Sequence, residues 1–234
     1  MDDFPLLNAQ TQPTARRPLL GLTVLVVEDS RYACDAIRML CQRSGARIRR
    51  ADCLSSARRH LQTYRPSVVI VDMGLPGGPG AELIEDLDRA LPRVDVVLAI
   101  SGDSAAERVA MAAGADGFLA KPLASLGVFQ EAILSRLPAD RQPSGLRSIP
   151  TDVVHPDPVA YRDDLCHAAD TLSRGNKGDA VVYVSQFLNG IAHSAGDRGL
   201  QQAADAVAKG HAVQADVSRL NRLLQDQISQ EVAL

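Results

Sequence analysis

Four short runs of apolar, mostly β-branched residues, each stopping at charged or hydroxyl-bearing side chains, constrain this chain more than any other feature. The plainest is Ser67-Val68-Val69-Ile70-Val71-Asp72, followed by a loop holding Gly74, Pro76, Gly77, Gly78, Pro79 and Gly80. Such a run is too short to cross a membrane. Its unbroken hydrophobicity marks a strand buried on both faces, as in a parallel sheet. Leu22–Val27 stops in the same way at Glu28-Asp29-Ser30, and Val94–Ile100 stops at Ser101-Gly102-Asp103. Gly117-Phe118-Leu119 ends at Ala120-Lys121-Pro122. Ligand sites in open α/β sheets lie outside the carboxyl ends of the strands. If these strands are parallel, Glu28, Asp29, Asp72, Ser101 and Lys121 converge on one edge.

Helical spacing fills the intervals. Ser30 is a good N-cap, and Ala33, Ile37, Leu40 and Cys41 recur until Gly45 stops the helix. Ala46–Ala51 reads as a further strand, its arginines marking a sheet edge. Ser55 or Ser56 is expected to cap the next helix, which ends before Pro66; Ala81–Leu91, Ser104–Ala113 and Ser125–Leu137 supply the others. Strand–helix alternation predicts a doubly wound (βα)5 unit on a parallel five-stranded sheet, followed by an all-α helical bundle.

The residues at the strand ends closely resemble the receiver domain of two-component response regulators, from about Leu20 to Leu137. Glu28-Asp29 match that family's acidic pair, and Asp72 matches its phosphoacceptor. Asp72-Met-Gly-Leu-Pro-Gly-Gly-Pro-Gly80 follows its Asp-x-x-x-Pro-x-x-x-Gly turn. Ser101 matches the switch hydroxyl, Phe118 the switch aromatic, and Lys121-Pro122 the terminal Lys-Pro. The resemblance implies Mg²⁺ bound by Asp29, Asp72 and the backbone carbonyl of Gly74, with Glu28 acting mainly through a water. Oxygen-only ligands suit such a hard cation. It also implies phosphoryl transfer to Asp72 with Lys121 neutralising charge, after which Ser101 and Phe118 move as a two-state switch. Gly74 places no side chain beside the phosphate to orient a hydrolytic water.

Downstream, Pro138, Pro143, Pro150, Pro156 and Pro158 make residues 138–157 a semi-extended linker, poorly suited to transmit rigid geometry. Residues 1–18 are expected to be a disordered extension, 19–137 the receiver, and 158–234 a helical output or dimerisation module. Its four apolar stripes are Tyr161, Leu165, Ala168 and Leu172; Val181, Val184, Leu188 and Ile191; Leu200, Ala203, Ala204 and Val207; and Val213, Val217, Leu220, Leu224 and Ile228. Gly175, Gly196 and Gly210 separate the stripes, which fit an antiparallel bundle. The last stripe is weighed evenly between bundle core and a self-association face.

This pattern is loosely similar to histidine-phosphotransfer domains, whose helix carries His-x-x-Lys-Gly. The candidate is Ile191-Ala192-His193-Ser194-Ala195-Gly196, with no lysine and its glycine one position early; His167 is a second candidate. For both, an ordinary surface or helix-end histidine is the favoured reading.

Residues 151–234 carry seven Lys and Arg against eleven Asp and Glu, which weighs against DNA binding. The arginines of Arg47, Arg49, Arg50, Arg58, Arg59 and Arg65, with His60, read as a solvated face. Cys34, Cys41, Cys53 and Cys166 have no zinc spacing and suit a reduced compartment. The acidic start and the lack of a long apolar stretch suit a cytoplasmic protein with no membrane association.

The expected function is a response regulator in a phosphorelay. Its partners would be a sensor histidine kinase or phosphotransfer protein, a downstream protein, and a second copy in a homodimer. It would be no enzyme beyond self-phosphorylation and autodephosphorylation. The alternatives are a relay fusion using His193 and a degenerate scaffold.

Overall fold

The computed structural model describes residues 12–145, 147–174, 179–208 and 214–230. The first eleven residues, the helix stops at Gly175 and Gly210, and Val213 of the last stripe lie outside the described residues.

Five strands, β1 (Thr23–Val27), β2 (Arg47–Ala51), β3 (Val68–Asp72), β4 (Val96–Ser101) and β5 (Gly117–Ala120), form a wholly parallel sheet. The order β2-β1-β3-β4-β5 puts the arginine-bearing β2 at an edge, as its exposed side chains require. Between them run α1 (Arg31–Ser44), α2 (Leu54–Thr63), α3 (Gly80–Arg89) and α4 (Ala106–Ala112), with α5 (Leu126–Leu134) after β5. The period of two along each strand splits the core. Val24, Val26, Val68 and Ile70 pack with α1 and α5, while Leu25, Val27, Val69 and Val71 pack with α2, α3 and α4. Ser30 caps α1, accepting from Ala33 N at 2.9 Å. The second helix starts earlier than its serines suggested, at Leu54, with no side-chain cap. All six arginines of the basic cluster are exposed, and Arg58 pairs with Asp86 at 3.0 Å.

Order begins sooner than expected. Thr14 and Arg17 close a hydrogen-bonded turn, and Leu19 is fully buried in the core of the sheet domain.

The proline-rich connection differs from a free linker. It opens with a 3-10 turn, Ala139–Arg141, and Arg141 is bound to Asp95 and Ser67. Further on, Arg147 pairs with Gln130, Ser125 bridges antiparallel to Val153, and Val154 enters the core beside α5. Composition describes a loose tether, yet side chains at a few positions strap it to the sheet domain.

Beyond it lie α6 (Pro158–Arg174), α7 (Asp179–Ala195), α8 (Arg198–Ala208) and α9 (Gln214–Gln230). Gly196, in the left-handed region at φ 75°, ends α7. The four stripes meet in a separate core that includes Leu165, Leu188, Leu200 and Leu224. Leu220 and Leu224 are fully enclosed there, so the last stripe serves the bundle's interior. None of the described helices is long and apolar enough to cross a membrane.

The bundle is docked on the sheet domain. Asp164 of α6 reaches the start of α1, accepting from Arg31 N at 2.9 Å, Tyr32 N at 3.0 Å and Ser30 Oγ at 2.7 Å. A carboxylate there satisfies amides that a helix start leaves open and opposes the positive end of its dipole. Asp163 adds an ion pair to Arg31 at 2.7 Å, and Tyr32 packs edge-on against Tyr161.

Candidate functional site

Asp72 is the last residue of the central strand β3 and is buried. Two features hold it. The Gly74 amide donates to its Oδ1 at 3.2 Å, and Lys121 Nζ donates to its Oδ2 at 3.0 Å. Gly80 explains the glycine that ends the turn: a Cβ there would stand 2.1 Å from the Asp72 carbonyl oxygen. Glu28 and Asp29 follow β1 immediately, and suitable oxygens of Glu28, Asp29 and Asp72 all lie within 4.8 Å of one another. Parallel registration of β1 with β3, pairing Val27 with Val71, creates that meeting.

Lys121 also lies 2.7 Å from Glu28 Oε2. Glu28 Oε1 accepts from Ser30 N, while Oε2 makes that ion contact but has no hydrogen-bond partner among the described residues. Burial pushes the Glu28 carboxyl well above its ordinary range, Asp72 adds to this, and Lys121 offsets part of it. Asp29 is also pushed up by burial, against a hydrogen bond from Tyr183. Burial acting alone would lower Lys121, but Asp72 and Glu28 outweigh it and hold the ammonium above its usual value.

Three carboxylates face one ammonium, and one buried carboxylate oxygen lacks a hydrogen bond. An all-oxygen donor set with excess negative charge fits a hard divalent cation. The cluster could hold a metal ion.

Ser101 and Phe118 are both half-buried, Ser101 at the end of β4 and Phe118 in β5 against the core. A cavity of about 590 Å³ joins Ser101, Asp72, Gly74 and Lys121. Its opposite wall is α7 of the bundle, contributing Gln186, Asn189, Gly190 and His193. A Cβ on Gly102 would lie 3.9 Å from the Gly190 Cα, which measures how closely α7 approaches the loop after β4. Tyr183, one turn earlier on α7, donates its hydroxyl to Asp29 Oδ2 at 2.7 Å. Burial and the neighbouring carboxylate push that phenol up.

Sequence reasoning singled out His193 but missed the rest of this wall. His193 is half-buried, and its Nδ1 lies 3.0 Å from Gln201 Nε2. Asp197 caps α8 through Leu200 N and accepts from Tyr161 and Gln227. His167 lies on α6 outside this cavity, edge-on to Phe187. The missed signal is one of register. With the glycine of His-x-x-Lys-Gly set at Gly190, the pattern reads Gln186-Phe187-Leu188-Asn189-Gly190. Gln186 and Asn189 carry amides where that pattern has histidine and lysine.

The fold and this pocket define a doubly wound α/β signalling domain with an acidic, lysine-closed site at the strand ends. Residues 24–133 match the response regulator receiver domain family, and that part of the chain is a receiver domain of this kind. Among curated proteins, the KDP operon transcriptional regulatory protein KdpE of Escherichia coli is 33% identical over 99 residues, covering 42% of this chain and 44% of that protein. The transcriptional regulatory protein PhoP of Escherichia coli is 27% identical over 227 residues, covering 90% of this chain and 94% of that protein. The alignments with the first two relatives span about half of their lengths, 44% and 58%. A solved putative response regulator from Chloroflexus aurantiacus is 27% identical with a TM-score of 0.46, covering 49% of this chain and 98% of that one.

Proposed function

We propose that this chain is a phosphorylation-controlled response regulator whose receiver accepts a phosphoryl group on Asp72 and signals through its helical bundle. The carrying observation is the meeting of Glu28, Asp29 and Asp72 around a single lysine at the sheet's carboxyl edge. Asp29, Asp72 and the Gly74 carbonyl would hold Mg²⁺, with Glu28 in the outer shell. The ion would supply charge neutralisation for the transferring phosphoryl oxygens. Asp72 is the nucleophile, and Lys121 stabilises charge that develops on the phosphoryl group. Ser101 lines the same cavity and can donate to a phosphoryl oxygen, releasing space toward which Phe118 moves.

The donor would be a sensor histidine kinase or a phosphotransfer protein, in the cytoplasm. Output through protein contact, with a downstream partner or a second copy, is favoured over DNA by the bundle's acidic excess. A relay through His193 is the second reading, supported by its place in the cavity wall.

Incubation with a small-molecule phosphodonor and Mg²⁺ should add one acid-stable, hydroxylamine-labile phosphate. Asp72→Asn or chelation should abolish it. Persistent hydroxylamine-labile labelling of the Asp72→Asn protein would overturn the assignment. Acid-labile label lost in His193→Ala would establish the relay instead.

A further inference from the structure

The receiver's own residues leave one chemical task unfilled. Hydrolysis of an aspartyl phosphate is hastened by a group that holds water in line with the phosphorus, and Gly74 offers no side chain for this. The bundle supplies candidates. Gln186 and Asn189 lie three residues apart on α7, on one helical face, and both line the cavity that contains Asp72 and Lys121. The docking that puts them there is built, because Tyr183 binds Asp29 and Asp164 caps α1. Neither amide is a nucleophile at neutral pH, so neither can receive the phosphoryl group as a histidine would. A carboxamide can, however, accept from and donate to one water at once, the role a glutamine plays in positioning water for phosphoryl transfer.

We infer that α7 is a hydrolytic wall: Gln186, assisted by Asn189, orients a water that dephosphorylates Asp72 within the same chain. The inference rests on Asp72 being the phosphoacceptor. The water oxygen bonds to phosphorus as the bond between phosphorus and the Asp72 carboxylate oxygen breaks. The carboxylate leaves with the bonding pair, orthophosphate departs, and the water's proton passes to solvent. No other reactant is required. Lys121 neutralises charge on both the phosphoryl oxygens and the departing carboxylate.

The alternative for a helix over this cavity is simple shielding, and the two roles predict opposite signs. Shielding is weakened when a side chain is trimmed, so decay of the phosphate accelerates or stays unchanged. A water-orienting role predicts slower decay.

The test uses the full chain, labelled with a small phosphodonor and Mg²⁺, freed of donor, and followed as the fraction of initial acyl phosphate remaining. Gln186 is exposed where it lines the cavity and lies outside the bundle core, so its truncation leaves that core intact. Gln186→Ala should slow decay about tenfold or more, Asn189→Ala should slow it less, and Gln186→Asn should fall between wild type and Gln186→Ala. Circular dichroism of each variant checks that the bundle persists. Decay in Gln186→Ala as fast as or faster than wild type overturns the inference and leaves the phosphoacceptor intact. Failure of the wild-type chain to take up label overturns the proposed function, and this inference with it.

Discussion

At the scale of single residues, backbone approach is the most demanding constraint. Gly80 begins α3 directly under the Asp72 carbonyl, where a methyl group would overlap the oxygen. Gly80→Ala must therefore displace either the end of β3 or the start of α3, with an expected loss of about 1–3 kcal/mol. A fall in the urea midpoint at unchanged slope would show it, and an unchanged midpoint would refute the close approach. The strand-end set was legible because each polar residue interrupts an apolar run, and a parallel sheet sends such interruptions to one edge. Gln186 and Asn189 were not legible in that way. Uncharged amides on a helix look like ordinary surface, and only the docking of α7 gives them a cavity to face.

At the scale of elements, α1 connects the two halves of the molecule. It begins two residues after Asp29, and its first amides are held by a carboxylate more than 130 positions later in the chain. Sequence patterning found nearly every helix, since a one-sided stripe is a local signal. It treated the bundle as an independent body, because Asp164 in isolation is one more surface acid. Asp164→Ala removes the acceptor for Arg31 N and Tyr32 N but leaves Ser30 capping Ala33. The expected cost is about 0.5–2 kcal/mol, the range for loss of a cap. Hydrogen exchange should quicken at Arg31 and Tyr32 while β3 keeps its protection. Unchanged exchange at those two amides would count against the docking.

At the scale of the whole molecule, charge and connection decide what the chain can do. Its formal net charge is −3, and the bundle carries an acidic excess, which supports the proposed output through protein contact over DNA. Retention on a generic duplex at physiological salt is expected to be negligible; tight retention that weakens steeply with salt would count against protein contact as the output. The proline-rich connection was the least legible feature of all. Proline content reports stiffness, whereas the straps at Arg141, Arg147 and Val154 are tertiary facts.

Those straps have a consequence for time rather than shape. A phosphatase acting in trans ends a signal at a rate set by its abundance, so the response varies with expression. Here Arg141, Arg147 and Val154 are held against the receiver shortly before the bundle starts at Pro158. Under the proposed hydrolytic role, each molecule carries its own clock, first-order and indifferent to dilution. Signal duration would then be inherited with the sequence, tuned by substitutions on α7 and insulated from copy number.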